Sequence, residues 1–357
     1  MRRLCETASG NWNRRHGDMA WYEIPGAEQD VALCTCARLS RNLEAFPFPA
    51  RLEPAGAKEV ISAVGAVLTE NGFTAIDFAE ISRTAACALV EKCYAGPEFI
   101  RESLPHALYL NEPCGISAML CGQDHVRLRC IRPGLAVRDA YAGVSGVEGQ
   151  LDARFDLAFD ERLGYLTHDP GELGTGLCVS VLLFLPALEA AGQTGLLAAR
   201  LERQGLTLHR ALAGSARQEE IPLYRLSNRI FFGLSEADIL SLISGCAGRI
   251  LESERHRRSA VSGHDLIRLT DRIHRAAGIL RHACVLPMSE CLRCLADLRL
   301  GASLGLLPDI RVESLTALLF DTLPASLSLA SDPPASGDFN RDISRARLVR
   351  ERLSQEA

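Results

Sequence analysis

Short β-rich apolar runs separated by turn residues fill the chain from about residue 30 to 233, and helical apolar spacing fills the remainder. Val126-Arg127-Leu128-Arg129-Cys130-Ile131 and Cys178-Val179-Ser180-Val181-Leu182-Leu183-Phe184-Leu185 read as strands, and residues 57–70 as one of a few helices among them. This pattern predicts an α+β unit. Ser235-Glu236-Ala237-Asp238 supplies an N-cap signal before Ile239 and Leu240, and amphipathic segments come after it almost without strand signals. A boundary near residue 250 is therefore expected, dividing the chain into 1–250 and 251–357. Ser331-Asp332-Pro333-Pro334-Ala335-Ser336-Gly337-Asp338 reads as a linker, and residues 340–352 as a final charged helix. There is no internal repeat, and no run approaches the roughly 20 apolar residues of a membrane span.

Composition narrows the class. A chain of 357 residues, 47% hydrophobic and 23% charged with a net charge of -5, can bury a large core and gives no reason to expect a nucleic-acid partner. Lys58 and Lys92 are the only lysines, so nearly all positive charge is arginine. The N-terminus has no apolar signal region, which predicts a cytoplasmic protein whose 13 cysteines stay reduced. Cys291-x-x-Cys294 and Cys34-x-Cys36 lack a second Cys pair or His pair at zinc-ligand distance, so no metal site is expected. Cys291 and Cys294 fall on the apolar stripe of a predicted helix over 289–298, where they serve as small hydrophobes.

Four ordered segments carry a family resemblance. Asp30 to Leu43 followed by Phe46-Pro47-Phe48-Pro49, then Gln123-Asp124-His125-Val126-Arg127, the loop Gly164-Tyr165-Leu166-Thr167-His168-Asp169-Pro170-Gly171-Glu172-Leu173-Gly174-Thr175-Gly176-Leu177-Cys178-Val179-Ser180-Val181, and Leu226-Ser227-Asn228 to Glu236 resemble elements of the ATP:guanido phosphotransferases. The helical half, including Asp297 to Gly305, resembles the bacterial protein-arginine kinases of that family. The resemblance implies a catalytic fold with a curved antiparallel sheet flanked by helices, followed by a helical C-terminal domain. Leu173-Gly174-Thr175-Gly176 lacks the third glycine of a dinucleotide loop and no Walker sequence occurs, so a nucleotide would be held by arginines and backbone.

Phosphoryl transfer to a guanidinium needs cations around the phosphates and carboxylates that orient and deprotonate the attacking nitrogen. By the resemblance, the nucleotide-binding positions are Arg38 and Arg127, which are arginine here, and Cys36 and Cys178, which are not. His125 matches a family histidine at the nucleotide side, with packing as its other reading; His168 reads as a loop-surface residue. The catalytic positions are Asp169, where the family has its reactive cysteine, and Gln123 and Gln218, where it has glutamates; Glu219 and Glu220 adjoin the last. Each lost transition-state donor costs about a hundredfold to a thousandfold in rate. The resemblance thus implies ATP with Mg2+ as cofactor if nucleotide binding is retained, but a degenerate site. The alternative is an active kinase rebuilt around Asp169, acting as base or guanidinium ligand with Asp124 and Glu172 nearby.

Asn340-Arg341-Asp342-Ile343-Ser344-Arg345-Ala346 matches a motif that forms a phosphoarginine pocket in the bacterial protein-arginine kinases. On a helix Arg341 and Arg345 share a face, so both guanidinium groups are expected to meet one phosphoryl group while Asp342 meets the ligand guanidinium and Ala346 completes the motif. Implied partners are arginine-phosphorylated or unfolded proteins, an active kinase paralogue or activator, and a second copy in a homodimer.

Overall fold

The computed structural model describes residues 20–78, 80–211, 221–331 and 337–355. Ten strands are defined: β1 (Ala32–Arg41), β2 (Thr74–Asp77), β3 (Ala107–Asn111), β4 (Ile116–Leu120), β5 (Val126–Pro133), β6 (Phe159–Asp160), β7 (Gly164–Tyr165), β8 (Leu177–Phe184), β9 (Leu206–Arg210) and β10 (Leu223–Asn228). Eight of them form one antiparallel sheet in the order β2-β3-β4-β5-β1-β8-β10-β9, and β6 pairs with β7 as a separate ribbon.

The helices of this part are α1 (Pro54–Glu70), α2 (Arg83–Glu91), α3 (Val137–Asp152), α4 (Pro186–Ala190) and α5 (Thr194–Glu202). In α3 the buried positions Val137, Ala140, Val144, Val147 and Leu151 recur every three or four residues, giving one apolar stripe. That stripe joins Ala37 and Leu39 of β1, Leu128 and Cys130 of β5, and Val179 and Val181 of β8 in a single core. One face of the central strands is thereby spent on packing. On the opposite pleat of β1, Arg38 and Ser40 stand clear of that core, while Cys36 packs at the edge of a second apolar cluster.

The chain then becomes helical as its spacing predicts: α6 (Glu236–Ser259), α7 (Gly263–His282), α8 (Met288–Ser303), α9 (Val312–Asp321), α10 (Pro324–Ala330) and α11 (Asp338–Ser354). Ser235 caps α6 as its sequence predicts, its hydroxyl accepting from the Asp238 amide at 3.2 Å and the Asp238 carboxylate returning the bond. α6 runs unbroken through position 250. A second core cluster includes Ile131, Phe184 and Leu223 of the sheet with Leu292, Leu300, Phe320 and Leu323 of the helical half. Buried Glu91, at the end of α2, accepts hydrogen bonds from the Ala325 and Ser326 amides at 2.9 and 2.7 Å, so its carboxylate caps α10 from the other half of the chain. Cys291 and Cys294 lie buried in α8, in keeping with the packing role their spacing predicts; burial pushes their thiols up to about 12 and about 11. The central residues of the predicted linker, 332–336, lie outside the described residues. Among the described residues no helix is long and apolar enough to cross a membrane.

Candidate active site

Strand register assembles the first candidate site. Ser40 of β1 stands opposite Arg127 of β5, and Arg38 stands between Arg129 of β5 and Cys178 of β8. Cys36 stands opposite Ser180, which pairs in turn with Ser227 of β10, itself paired with Thr207 of β9. Directly paired residues share a face of an antiparallel sheet. Four residues singled out from the sequence, Cys36, Arg38, Arg127 and Cys178, therefore meet on one surface although they span 143 positions of sequence.

The arginines of that surface are already engaged. Arg38 forms an ion pair with the Glu172 carboxylate, whose other oxygen accepts from the Ser40 hydroxyl at 3.3 Å. Arg127, 5% exposed, donates to Asp124 at 2.9 Å, to the Gln123 side-chain oxygen at 3.0 Å and to Glu98 at 3.4 Å. Cys36 and Cys178 are half-buried thiols, and desolvation by burial raises the pKa of both. Neither offers the charge that an arginine would.

Asp124 holds the reactive-loop equivalent in place. Buried to 1% exposure, its carboxylate accepts from the Asn42 side-chain amide at 2.8 Å and from the His168 backbone amide at 2.7 Å, besides the Arg127 guanidinium. On the far side of the loop, Arg41 stacks on Tyr165 at 3.5 Å and donates to the Thr175 carbonyl at 2.9 Å. Gly176 has φ 59°, and a Cβ there would stand 2.9 Å from the Ser40 carbonyl oxygen, so a side chain at this position would push the loop off β1. Asp169 is exposed, and its carboxylate accepts from the Gly171 amide at 2.8 Å, capping the turn Pro170–Glu172 that delivers Glu172 to Arg38.

His125 is placed differently from its nucleotide-side reading. It is completely buried, its Nδ1 accepts from the Leu43 amide at 3.1 Å and its Nε2 donates to the Pro47 carbonyl at 2.9 Å. Burial lowers its pKa, so a neutral ring fits. With both nitrogens committed and no exposed surface, it braces the turn after β1 and has nothing to present to a nucleotide. His168 is exposed, as its loop position predicts. Gln218, with Glu219 and Glu220, lies outside the described residues. Glu98, Arg129 and Arg225 are additions to the site. The period-two alternation of β5 and β10 carries the signal for the arginines, while no local pattern marks Glu98.

The second candidate site is at the start of α11. Where the sequence places two guanidinium groups on one open face, the structure draws Arg345 inside, at 2% exposure. Its Nε donates to the Thr322 carbonyl at 3.1 Å, and its Nη1 to the Leu286 carbonyl at 2.9 Å and to the Asp342 carboxylate. Those acceptors, on segments flanking α11, make burial of the charge tolerable. Asp342 is thus committed to Arg345 before any ligand arrives. Arg341 stays partly exposed and pairs with Asp338 at the helix start, while Ala346 is buried against the helical core.

Comparison with known proteins identifies the family of the chain. Residues 57–257 match the sequence model of the ATP:guanido phosphotransferase C-terminal catalytic domain, and residues 267–357 that of the protein-arginine kinase McsB C-terminal domain. The duplicated taurocyamine kinase of Schistosoma mansoni, solved with transition-state analogue components, shares the fold with a TM-score of 0.58 at 19% identity, over 74% of this chain and 39% of that one. The fold is that of the ATP:guanido phosphotransferases, whose catalytic-domain model covers more than half of the chain. The protein-arginine kinase of Symbiobacterium thermophilum is 33% identical over 96% of this chain and 99% of its own, and that of Bacillus subtilis is 32% identical over 94% of each. The chain belongs to the protein-arginine kinase family.

Proposed function

We propose that this protein is a family member impaired in phosphoryl transfer that acts by binding arginine-phosphorylated proteins, and so regulates or recruits an active kinase subunit. The observation that carries the reading is the charge state of the sheet face. Two family arginine positions, Cys36 and Cys178, are thiols, and the two remaining arginines are each tied to carboxylates, Arg38 to Glu172 and Arg127 to Asp124. A transferring phosphoryl group is stabilised by cations whose charge is available as its own charge develops. Here Arg38 would have to surrender Glu172 first. Losses at residues that act as a unit do not add, but even one missing donor costs about a hundredfold to a thousandfold.

The substrate side points the same way. Gln123, at a family glutamate position, is a neutral amide that accepts from Arg127 and cannot take a proton from a guanidinium nitrogen. Asp169 caps its own turn, a structural use that accounts for a carboxylate there without catalysis. Among the described residues no three His, Cys, Asp or Glu side chains converge to hold a metal ion.

Binding of phosphoarginine is supported at α11 by Arg341, the partly exposed cation, beside an Asp342 carboxylate whose position is set by buried Arg345. The experiment that tests the reading measures ATP-dependent phosphorylation of an unfolded protein alongside phosphoarginine binding by the same preparation. Binding without transfer is the expected result; transfer at the rate of an active family member would overturn it.

A further inference from the structure

Two guanidinium groups on the catalytic face belong to none of the segments that carry the family resemblance, and among the described residues neither is paired with a carboxylate. Arg129 lies one pleat beyond Arg127 on β5 and donates to the Cys93 and Ala95 carbonyls at 3.0 and 3.2 Å. Its Nε is buried with no partner. Arg225, on β10, is exposed, and its side chain makes no hydrogen bond or ion pair among the described residues. It stands opposite Leu182 of β8 and His209 of β9, one pleat from the row Cys36, Ser180, Ser227 and Thr207.

We propose that Arg129 and Arg225 form a displaced oligophosphate site, holding the phosphate chain of a nucleotide over Cys36 and Cys178 with Ser180, Ser227 and Thr207 as hydroxyl donors. The two arginines lie on strands three places apart and two pleats apart along them, about 20 Å between backbones at the usual spacings, a span that two extended side chains leaning toward Cys36 narrow to the size of a di- or triphosphate. The thiols are uncharged and do not repel an anion, and Cys36 marks the edge where this face meets the second apolar cluster. Both cations act at the midpoint: after burial, which raises the Cys36 thiol, the charges of Arg129 and Arg225 are the largest influences and act in the opposite direction. Arg225 also acts on Cys178 and Cys34.

The site reads charge without completing a transfer centre. Arg38 and Arg127 stay with their carboxylates, and the anion rests toward β10 instead. Nucleotide would then be a ligand that the protein senses, whether or not any phosphoryl group moves. This goes beyond the proposed loss of transfer and does not depend on it, because binding and turnover are measured separately.

The test is calorimetric titration of the full chain, at low salt and without magnesium, with ADP and separately with inorganic tripolyphosphate. Both probes are expected to saturate one site and to compete. Arg225→Gln, a change at an exposed position that leaves the core untouched, should raise the Kd for both by about tenfold or more, with Arg225→Lys between, while Arg154→Gln on a remote surface has no effect. Tripolyphosphate binding as tightly as ADP identifies a site for phosphates alone; ADP binding more tightly adds a contact to the nucleoside. A second readout fixes the place: ADP should slow maleimide labelling of Cys36 and Cys178 and leave exposed Cys284 unchanged. No saturable binding of either probe, an unchanged Kd in Arg225→Gln, or unprotected Cys36 and Cys178 in the saturated protein would each overturn the assignment.

Discussion

The Glu172 carboxylate lies against the Arg38 guanidinium in the middle of the candidate face, the two side chains 13% and 19% exposed. The loop that presents Glu172 is pinned at both ends, by Asp124 through the His168 amide and by Arg41 through the Thr175 carbonyl. Arg38 is therefore neutralised by a pre-set partner, and its charge reaches a phosphate only if Glu172 gives way.

Removing that partner gives the first expected outcome. Glu172→Gln keeps the shape and a hydrogen-bond acceptor but frees the charge of Arg38, so ADP affinity should rise by about tenfold, the scale of one charge-assisted contact. Titration of ADP into wild type and variant checks this. An unchanged or weaker affinity would mean that Glu172 does not shield the phosphate site.

At α11 the two arginines should separate cleanly. Arg345→Ala leaves the buried Leu286 and Thr322 carbonyls and the Asp342 carboxylate without their donor and should lower stability by about 3 to 5 kcal/mol. Arg341→Ala, at a partly exposed pair, should change stability by no more than about 0.5 kcal/mol yet weaken phosphoarginine binding by about tenfold. Denaturant midpoints and phosphoarginine titrations of both variants separate the brace from the contact. Equal stability losses would contradict the assignment.

His125 sets a pH dependence. Burial lowers its folded pKa below the ordinary 6.5, so the unfolded chain takes up the proton first on acidification. Its contribution is present in full above about pH 6.5 and is lost as pH falls from there toward the folded pKa. His125→Gln should cost about 1 to 3 kcal/mol at pH 8, from two lost buried hydrogen bonds, and the gap to wild type should narrow by pH 5. Urea unfolding at both pH values measures it; a gap that widens on acidification would contradict the neutral, buried ring.

Much of this arrangement is legible along the chain. The alternation Cys36, Arg38, Ser40 puts three side chains on one face of a strand, and Arg127 and Arg129 repeat the device on its neighbour, so the composition of the face follows from period two. What the sequence hides is partnership. Glu172 and Arg38 are 134 positions apart, and Glu98 and Arg127 are 29 apart. No local pattern says that a carboxylate will sit on each arginine. Arg345 is hidden for a related reason: an arginine in a charged helix reads as solvated, and it is the carbonyls of Leu286 and Thr322, on other segments, that draw it inside. His125 reads as chemistry by residue type and is taken up by packing once the Leu43 amide and Pro47 carbonyl close on it.

The central claim is that this face no longer transfers phosphoryl groups to arginine, and the most direct measurement is the amount of phosphoarginine formed on an unfolded protein substrate incubated with ATP and magnesium. Quantification at neutral pH by mass spectrometry, against an active protein-arginine kinase of the family, preserves the acid-labile product. Phosphoarginine at the level of the enzyme-free control is the result predicted here; turnover comparable to the active relative and abolished by Asp169→Ala would contradict it and establish a centre rebuilt around that carboxylate.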